Sequence, residues 1–274
     1  MVSFFRILIG GLRRKGPIVI FEKVFLLMTL LMSIKFLIMF TLPYFFFWKW
    51  FPERFKHLKI QNPERQKPQL KLEVTYSLMS LLIQSFAFSL IFLGNQNGFF
   101  DIYPGFASHG VFPEISAALA YVIFYDFYFY WSHRLLHIGW LYRYVHVVHH
   151  KSINPTPFTS FSFHPIETII NLLYFFPIVW LFPMSLETAL FLVVLTDFSN
   201  VMGHLGYEFI PALTRRHWWG SWLTTPTHHN LHHQVSRFNF GLFWNGWDKL
   251  FKTMHARTED EFNRIKSTKP SSRL

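Results

Sequence analysis

The sequence predicts an all-α, multi-pass membrane protein: four or five embedded helices capped by a cytoplasmic, helical, histidine-rich domain for two metal ions. Three observations carry that prediction. Hydrophobic residues make up 51% of the 274-residue chain and charged ones only 15%, against roughly 25% charged in a soluble domain. Apolar runs long enough to span a bilayer recur between short basic segments. Of 15 histidines, 12 fall between His133 and His233. Backbone groups in lipid must be satisfied within their own segment, which selects helices over open sheet.

The elements follow in order. Ile18 to Trp48 is apolar apart from Glu22, Lys23, Lys35 and a few hydroxyls. Val74 to Leu93 is a second span, interrupted only by Gln84 and hydroxyls. Val111 to Trp131 is a third, with Glu114 near its start and Asp126 near its end. Ile166 to Val201 is apolar and broken at Pro177 and Pro183, the signature of a helical hairpin. Its arms are either two full spans or a pair that dips into the membrane. The chain therefore divides into an N-terminal membrane region (1–125), a catalytic region (126–260) containing the hairpin at about 167–201, and a polar tail (261–274). The first apolar run is too long for a signal peptide and no small-residue cleavage site follows it.

Charge sets the orientation. Segment 51–71 carries Arg54, Lys56, Lys59, Arg65, Lys67 and Lys71, whereas 94–110 carries no Lys or Arg. The first is expected in the cytoplasm and the second outside it, which places every histidine motif on the cytoplasmic side of a bacterial inner membrane or endoplasmic reticulum. Arg6, Arg13, Arg14 and Lys15 also favour the cytoplasm, leaving a re-entrant first segment or an exception to the rule as alternatives. The formal charge of +11 is spread between greasy runs, a pattern suited to an anionic membrane surface and not to nucleic acid. The absence of Cys excludes disulfides, thiolate zinc sites, iron–sulfur clusters and Cys nucleophiles.

The histidines form three motifs: His133 and His137; His146, His149 and His150; and His229, His232 and His233, with His228 just before. Positions i, i+3 and i+4 share a helix face, so each motif is expected to aim its imidazoles at one point. Eight imidazoles are twice what one tetrahedral site uses, so two ions are the natural count. The isolated His57, His109, His217 and His255 read as solvated surface residues. A thiolate-free, nitrogen-rich set suits iron and oxygen chemistry, and zinc is able to replace iron in a purified sample. Two other classes compete. A His-rich membrane metal transporter calls for ionisable groups near mid-span, where only Lys35 and Asp197 lie. A bis-His haem membrane protein calls for pairs on facing spans.

Further motifs extend the pattern: Asp-Phe-Tyr-Phe-Tyr-Trp-Ser-His-Arg-Leu-Leu-His (126–137), Tyr-Arg-Tyr-Val-His-Val-Val-His-His (142–150), Phe-His-Pro-Ile-Glu (163–167), Gly-His-Leu-Gly-Tyr-Glu (203–208) and His-His-Asn-Leu-His-His (228–233), the last followed by Phe-Asn-Phe-Gly and Trp-Asp-Lys-Leu-Phe. In order and spacing the chain resembles the membrane-bound fatty acid hydroxylase superfamily of sterol desaturases, methyl-sterol oxidases, fatty acid 2-hydroxylases and alkylglycerol monooxygenases, over about Tyr121 to His255. The sterol-desaturase branch is the most similar. The resemblance implies a non-haem di-iron oxidoreductase, with O2 as co-substrate, that hydroxylates or desaturates an alkyl C–H of a lipid or sterol-like substrate. Hydroxylation is the simpler expectation, since one hydrogen abstraction suffices. It carries the eight core ligands onto the eight motif histidines and adds His204 and His164 as ninth and tenth. Asn200 stands four residues before His204, where the fatty acid 2-hydroxylase branch has a histidine, and is expected to hold a water or a polar substrate group. Asp126, Glu167 and Asp248 are candidates to accept the second N–H of a ligating imidazole. The aromatics from Tyr121 to Trp131 are expected to face lipid. No haem, flavin or GxGxxG motif is present, so the reaction calls for an external electron donor of cytochrome or ferredoxin type, and the basic face suits an acidic one.

Overall fold

The computed structural model describes residues 17–61 and 70–268. Arg6, Arg13, Arg14, Lys15, Arg65 and Lys67, which bear on the orientation, and the end of the polar tail lie outside the described residues. Helix α1 (Pro17–Phe36) continues without reversing through π turns at Leu37–Thr41 and Tyr44–Trp50. Pro43, between the two π turns, supplies no N–H, and wider turns flank the interruption. The run Ile18–Trp50 has 33 residues, about 50 Å at 1.5 Å per residue. It is a single rod that overhangs the bilayer, and not a re-entrant loop.

Helix α2 (Leu70–Gln96) packs along α1. Its inner face is lined by Ser77, Ser80, Ser85 and Ser89, all fully buried, because small residues let helix backbones approach. Their hydroxyls are satisfied: Ser85 and Ser89 donate to the preceding turn, and Ser77 donates to the Phe158 carbonyl at 2.8 Å. Strand β1 (Ile102–Tyr103) leads into α3 (Val111–Leu136). Here the lipid-facing expectation for the aromatics needs correction. Tyr121, Tyr125 and Tyr130 are buried, and only their neighbours Phe127 and Trp131 face outward. The Tyr121 hydroxyl shares hydrogen bonds with those of Tyr174 (2.9 Å) and Thr196 (2.7 Å); a tyrosine whose hydroxyl finds partners is more stable inside the bundle than in lipid.

After α3 the chain passes through a π turn (Leu141–His146), α4 (Val147–His150) and a 3-10 turn (Pro157–Phe161) into the hairpin. The first arm is α5 (Pro165–Leu173) and α6 (Phe175–Leu181), the second α7 (Leu186–His204), with strand β2 (Met184–Ser185) at the tip. Pro177 cannot donate to the Leu173 carbonyl, so the break falls between α5 and α6. At the tip, β2 pairs in parallel with β1, Ile102 opposite Met184 and Tyr103 opposite Ser185. Glu114 clamps this pair, accepting from the Tyr103 hydroxyl (2.9 Å) and from the Ser185 hydroxyl (3.0 Å). The tip therefore lies at the end of the bundle that bears the 94–110 loop, and both arms run the bundle's full length. Among the described residues four helices have the length and apolarity of a span, and Pro165–Leu181 is a shorter apolar fifth.

The opposite end holds α8 (Ala212–Arg216), α9 (Pro226–Val235), α10 (Gly246–Leu250) and α11 (Thr258–Ser267). The basic segment after α1 joins them: Ile60 N–H donates to the Gly206 carbonyl (3.1 Å) and Glu208 N–H to that of Leu58 (2.8 Å). Within the bundle Lys35 Nζ lies 2.8 Å from Asp197 Oδ2, so these two charges neutralise each other. The chain is thus an all-α multi-pass membrane protein with its histidines gathered at one end.

Candidate metal centre

Each histidine is delivered by a local rule of the chain. His133 sits on the inner face of α3's last turn, and His137 is its C-terminal cap residue. The π turn and α4 present His146, His149 and His150, and α7 ends on His204. Helix α9 starts where Thr225 accepts from His228 N–H with Pro226 in the first turn, a favourable helix start. Glu208 steadies that start by accepting from Thr227 N–H (2.9 Å) and Thr227 Oγ1 (2.7 Å).

Two groups result, each with ring nitrogens within 4.8 Å of one another: His133, His137, His146, His150 and His232; and His149, His204, His229 and His233. The expectation that each motif aims at one point is corrected here. In each three-histidine motif the i, i+4 pair serves one group and the remaining histidine the other: His146 and His150 against His149, His229 and His233 against His232. Both helices run between the two groups and serve each from one side.

The hydrogen bonds show what these rings are prepared for. Five Nδ1 atoms face acceptors: His133 to Phe240 O (3.0 Å), His146 to Glu167 Oε1 (2.7 Å), His149 to Ser162 O (3.3 Å), His204 to Asn200 O (2.7 Å) and His232 to Phe238 O (2.6 Å). A carbonyl only accepts, so in the four rings facing one Nδ1 carries the proton and Nε2 offers a bare lone pair. Yet His149 Nε2 faces His204 Nε2 at 3.2 Å. The separations His204–His229, His146–His150, His150–His232 and His137–His232 are 2.9, 3.1, 3.1 and 3.2 Å. Two facing lone pairs, as between His149 and His204, repel unless a cation lies among them. With metal–nitrogen bonds near 2.1 Å, the edge of an octahedral shell is about 3.0 Å, which matches. Burial, reinforced by neighbouring imidazoles, holds His146, His149, His150, His229, His232 and His233 well below the ordinary imidazole range, and His137 at about 2. The rings are neutral, the form that binds metal. The donor set fits two first-row ions.

Supporting residues fall into two kinds. Glu167 contacts a ligand directly, through His146. Asp248 acts through a loop: its carboxylate accepts from Phe240 N–H and Gly241 N–H (both 2.9 Å) and lies 3.2 Å from His228 Nε2. It thereby fixes residues 238–240, whose carbonyls orient His133 and His232. Burial alone would raise the Asp248 carboxyl, but these contacts with His228, Thr253 and the Gly241 N–H outweigh it and hold it below the usual range. Asn239 completes the loop in a left-handed conformation (φ 61°), its amide donating to His228 O at 2.9 Å.

Two expected residues lie elsewhere. His164 is outside both groups: Pro165 starts α5, and the His164 ring turns back to accept from Ile166 N–H at 3.3 Å. Asp126 meets no imidazole; it accepts from Phe243 N–H, Trp244 N–H and Trp247 Nε1, tying the 243–247 segment to α3. Asn200 contributes its backbone carbonyl to His204, while its amide donates to Ser160 O at 2.7 Å. The carbonyls of Ser162, Phe238 and Phe240 escape a sequence reading, because every residue type has one. A small cavity borders both groups, with apolar walls that include Phe129, Leu136 and Phe163.

These features define a membrane-embedded helical bundle with two groups of histidines at one end that could hold metal ions. Comparison with known proteins agrees: residues 118–253 match the family model described as fatty acid hydroxylase. This region of the chain belongs to the fatty acid hydroxylase family. It is 29% identical over 206 residues to a Delta(7)-sterol 5(6)-desaturase of Gibberella zeae, covering 75% of this chain and 61% of that protein. It is 26% identical over 212 residues to the lathosterol oxidase of Homo sapiens, covering 77% and 67%, and 27% identical over 205 residues to a Delta(7)-sterol 5(6)-desaturase of Schizosaccharomyces pombe, covering 75% and 66%. The chain thus spans about three-fifths to two-thirds of the length of these relatives. No solved structure matches it.

Proposed function

We propose that the protein is an O2-dependent oxidoreductase that holds two iron ions and hydroxylates or desaturates a C–H bond of a sterol-like lipid. The observation that carries the metal reading is the convergence of nine imidazoles in two tight groups, with the bare Nε2 lone pairs of His149 and His204 facing each other at 3.2 Å. The sterol reading rests on the relatives named as sterol desaturases and lathosterol oxidase. His133, His137, His146, His150 and His232 would hold one ion, and His149, His204, His229 and His233 the other. When bound, such ions supply the activation of O2. The chain's own part is to orient: carbonyls and Glu167 fix the ring tautomers, and the walls of the cavity keep the reacting end of the lipid dry. Hydroxylation takes up O2, two electrons and two protons and releases one water; desaturation releases two. The electrons come from an external cytochrome- or ferredoxin-type donor. The histidine end faces the cytoplasm, of a bacterial inner membrane or an endoplasmic reticulum.

The test uses the full chain in lipid nanodiscs, loaded with iron and supplied with lathosterol, a reducing system and 18O2. The expected result is about two irons per chain and an oxidised sterol, carrying 18O for hydroxylation and a new double bond without 18O for desaturation. A Soret band in the visible spectrum, or iron bound without any O2-dependent change in a lipid, would overturn the proposal.

A further inference from the structure

The cavity beside the histidines is not uniformly apolar. Glu167 uses Oε1 on His146, and its Oε2 is buried with no hydrogen-bond partner among the described residues. Asn171 follows one turn later on the same face of α5 and lines the same cavity. Its amide makes no hydrogen bond to any described residue. Asn200 also borders the cavity, but its amide N–H is committed to Ser160 O. One buried acceptor and one amide without a described partner therefore border a space that Phe129, Leu136 and Phe163 also line, beside five of the histidines. A buried polar atom left unpaired is costly, so such a pair points to an occupant that satisfies it.

The chemistry of the pair selects that occupant. Oε2 takes a proton donor, and the Asn171 amide gives one. A hydroxyl, of water or of an alcohol, does both at once, donating to Glu167 and accepting from Asn171, and in an alcohol it also anchors the lipid that carries it. A hydrocarbon satisfies neither atom, and an ether only the amide. We infer that Glu167 and Asn171 form a hydroxyl-recognition site, and that the lipid taken there is an alcohol whose hydroxyl lies a few bonds from the carbon presented to the histidines. The enclosed space is about 10 Å³, room for roughly one water-sized group, so the hydroxyl enters and the rest of the lipid stays among the helices and bilayer. The inference rests on the lipid-oxidation reading above, and makes Asn171 a specificity-determining residue.

The test is equilibrium binding to the metal-loaded full chain in nanodiscs, with two matched pairs of probes: lathosterol against cholest-7-ene, which lacks the hydroxyl, and octadecan-1-ol against octadecane. Wild type is expected to bind the alcohol roughly tenfold to hundredfold more tightly in at least one pair, as one buried unpaired acceptor and one half-buried amide imply. Asn171→Leu, close in size and apolar, should keep its metals and reduce that preference to about threefold or less. If the leucine variant does not fold, Asn171→Ala gives the same reading. A preference for the alcohol only in the linear pair would sink the sterol assignment and leave this inference standing. Preference in neither pair, survival of the full preference in the Asn171 variants, or loss of metal from them would overturn it.

Discussion

Glu167 offers the sharpest test of how the site is held. Its Oε1 lies 2.7 Å from His146 Nδ1, with both side chains 1% exposed. A buried hydrogen bond to a charged partner contributes about 1.5–3 kcal/mol, and a neutral one about 0.5–1.5. Glu167→Gln keeps an acceptor but loses the charge, a difference of about 1.4 kcal/mol, or tenfold. Glu167→Ala also strands the His146 N–H in a dry environment, which brings the total to about hundredfold, the upper end for residues that orient a metal ligand. The loss should be confined to one group, because His149 and His204 are oriented separately, by the Ser162 and Asn200 carbonyls. Competition with a graded series of chelators, followed by metal analysis, reads this directly. Stoichiometry should fall toward one ion per chain, earliest in the alanine variant. Glu167→Ala that retains both ions at wild-type affinity, or that releases both together, would refute the reasoning.

Other expectations follow from the same geometry. His149→Ala or His232→Ala should abolish turnover and lower bound metal while helical circular dichroism persists, since the spans do not depend on either ring; full activity in one of them removes that histidine from the proposed ligands. His204→Ala should lose nearly all turnover, whereas Asn200→Ala, which keeps the backbone carbonyl that orients His204, should retain metal and lose about fivefold, one neutral hydrogen bond; metal loss from Asn200→Ala would contradict this. Asp248→Ala should loosen both His133 and His232 through the 238–240 loop, measured as metal loss of about tenfold or more, and wild-type affinity would count against the loop's role. A tag inserted at Asn97 should be labelled only from outside the cytoplasm, and labelling only from within would invert the proposed orientation.

Much of this arrangement was legible in the sequence, because two strong periodicities carry it. Span lengths locate the bundle, and recurring i, i+3, i+4 histidines locate the metal end. The splitting of each motif between two groups was not legible, since it depends on where the helix axis lies: a helix between two ions sends positions 149 and 150, about 100° apart on an α-helix, to opposite sides. His164 shares a segment with Glu167, but Pro165 makes it the residue before a helix and its ring serves the backbone. Asp126 lies two turns before His133, on the same face, yet the 243–247 segment takes up its oxygens. Asn171 carried a readable signal, an amide one turn after Glu167 in an apolar helix. The carbonyl supports carried none.

The pairing of Lys35 with Asp197 has a consequence for how the protein is made. The two residues are 162 positions apart in the chain (197 − 35), and at roughly 5–20 residues per second the lysine emerges about 8–30 seconds before its partner. A lone charge at the centre of a membrane helix costs about 2.5–3.5 kcal/mol, which the apolar residues of the first helix outweigh but which stays unrelieved during that interval. Gln84, whose Oε1 lies 3.5 Å from the Lys35 amine, reaches the membrane only 49 residues after the lysine and gives it an interim partner. Biogenesis therefore has a natural order: the first two helices enter as a pair, wait with their lysine partly satisfied, and close around the seventh only once Asp197 arrives, which is also the moment His204 is set in place.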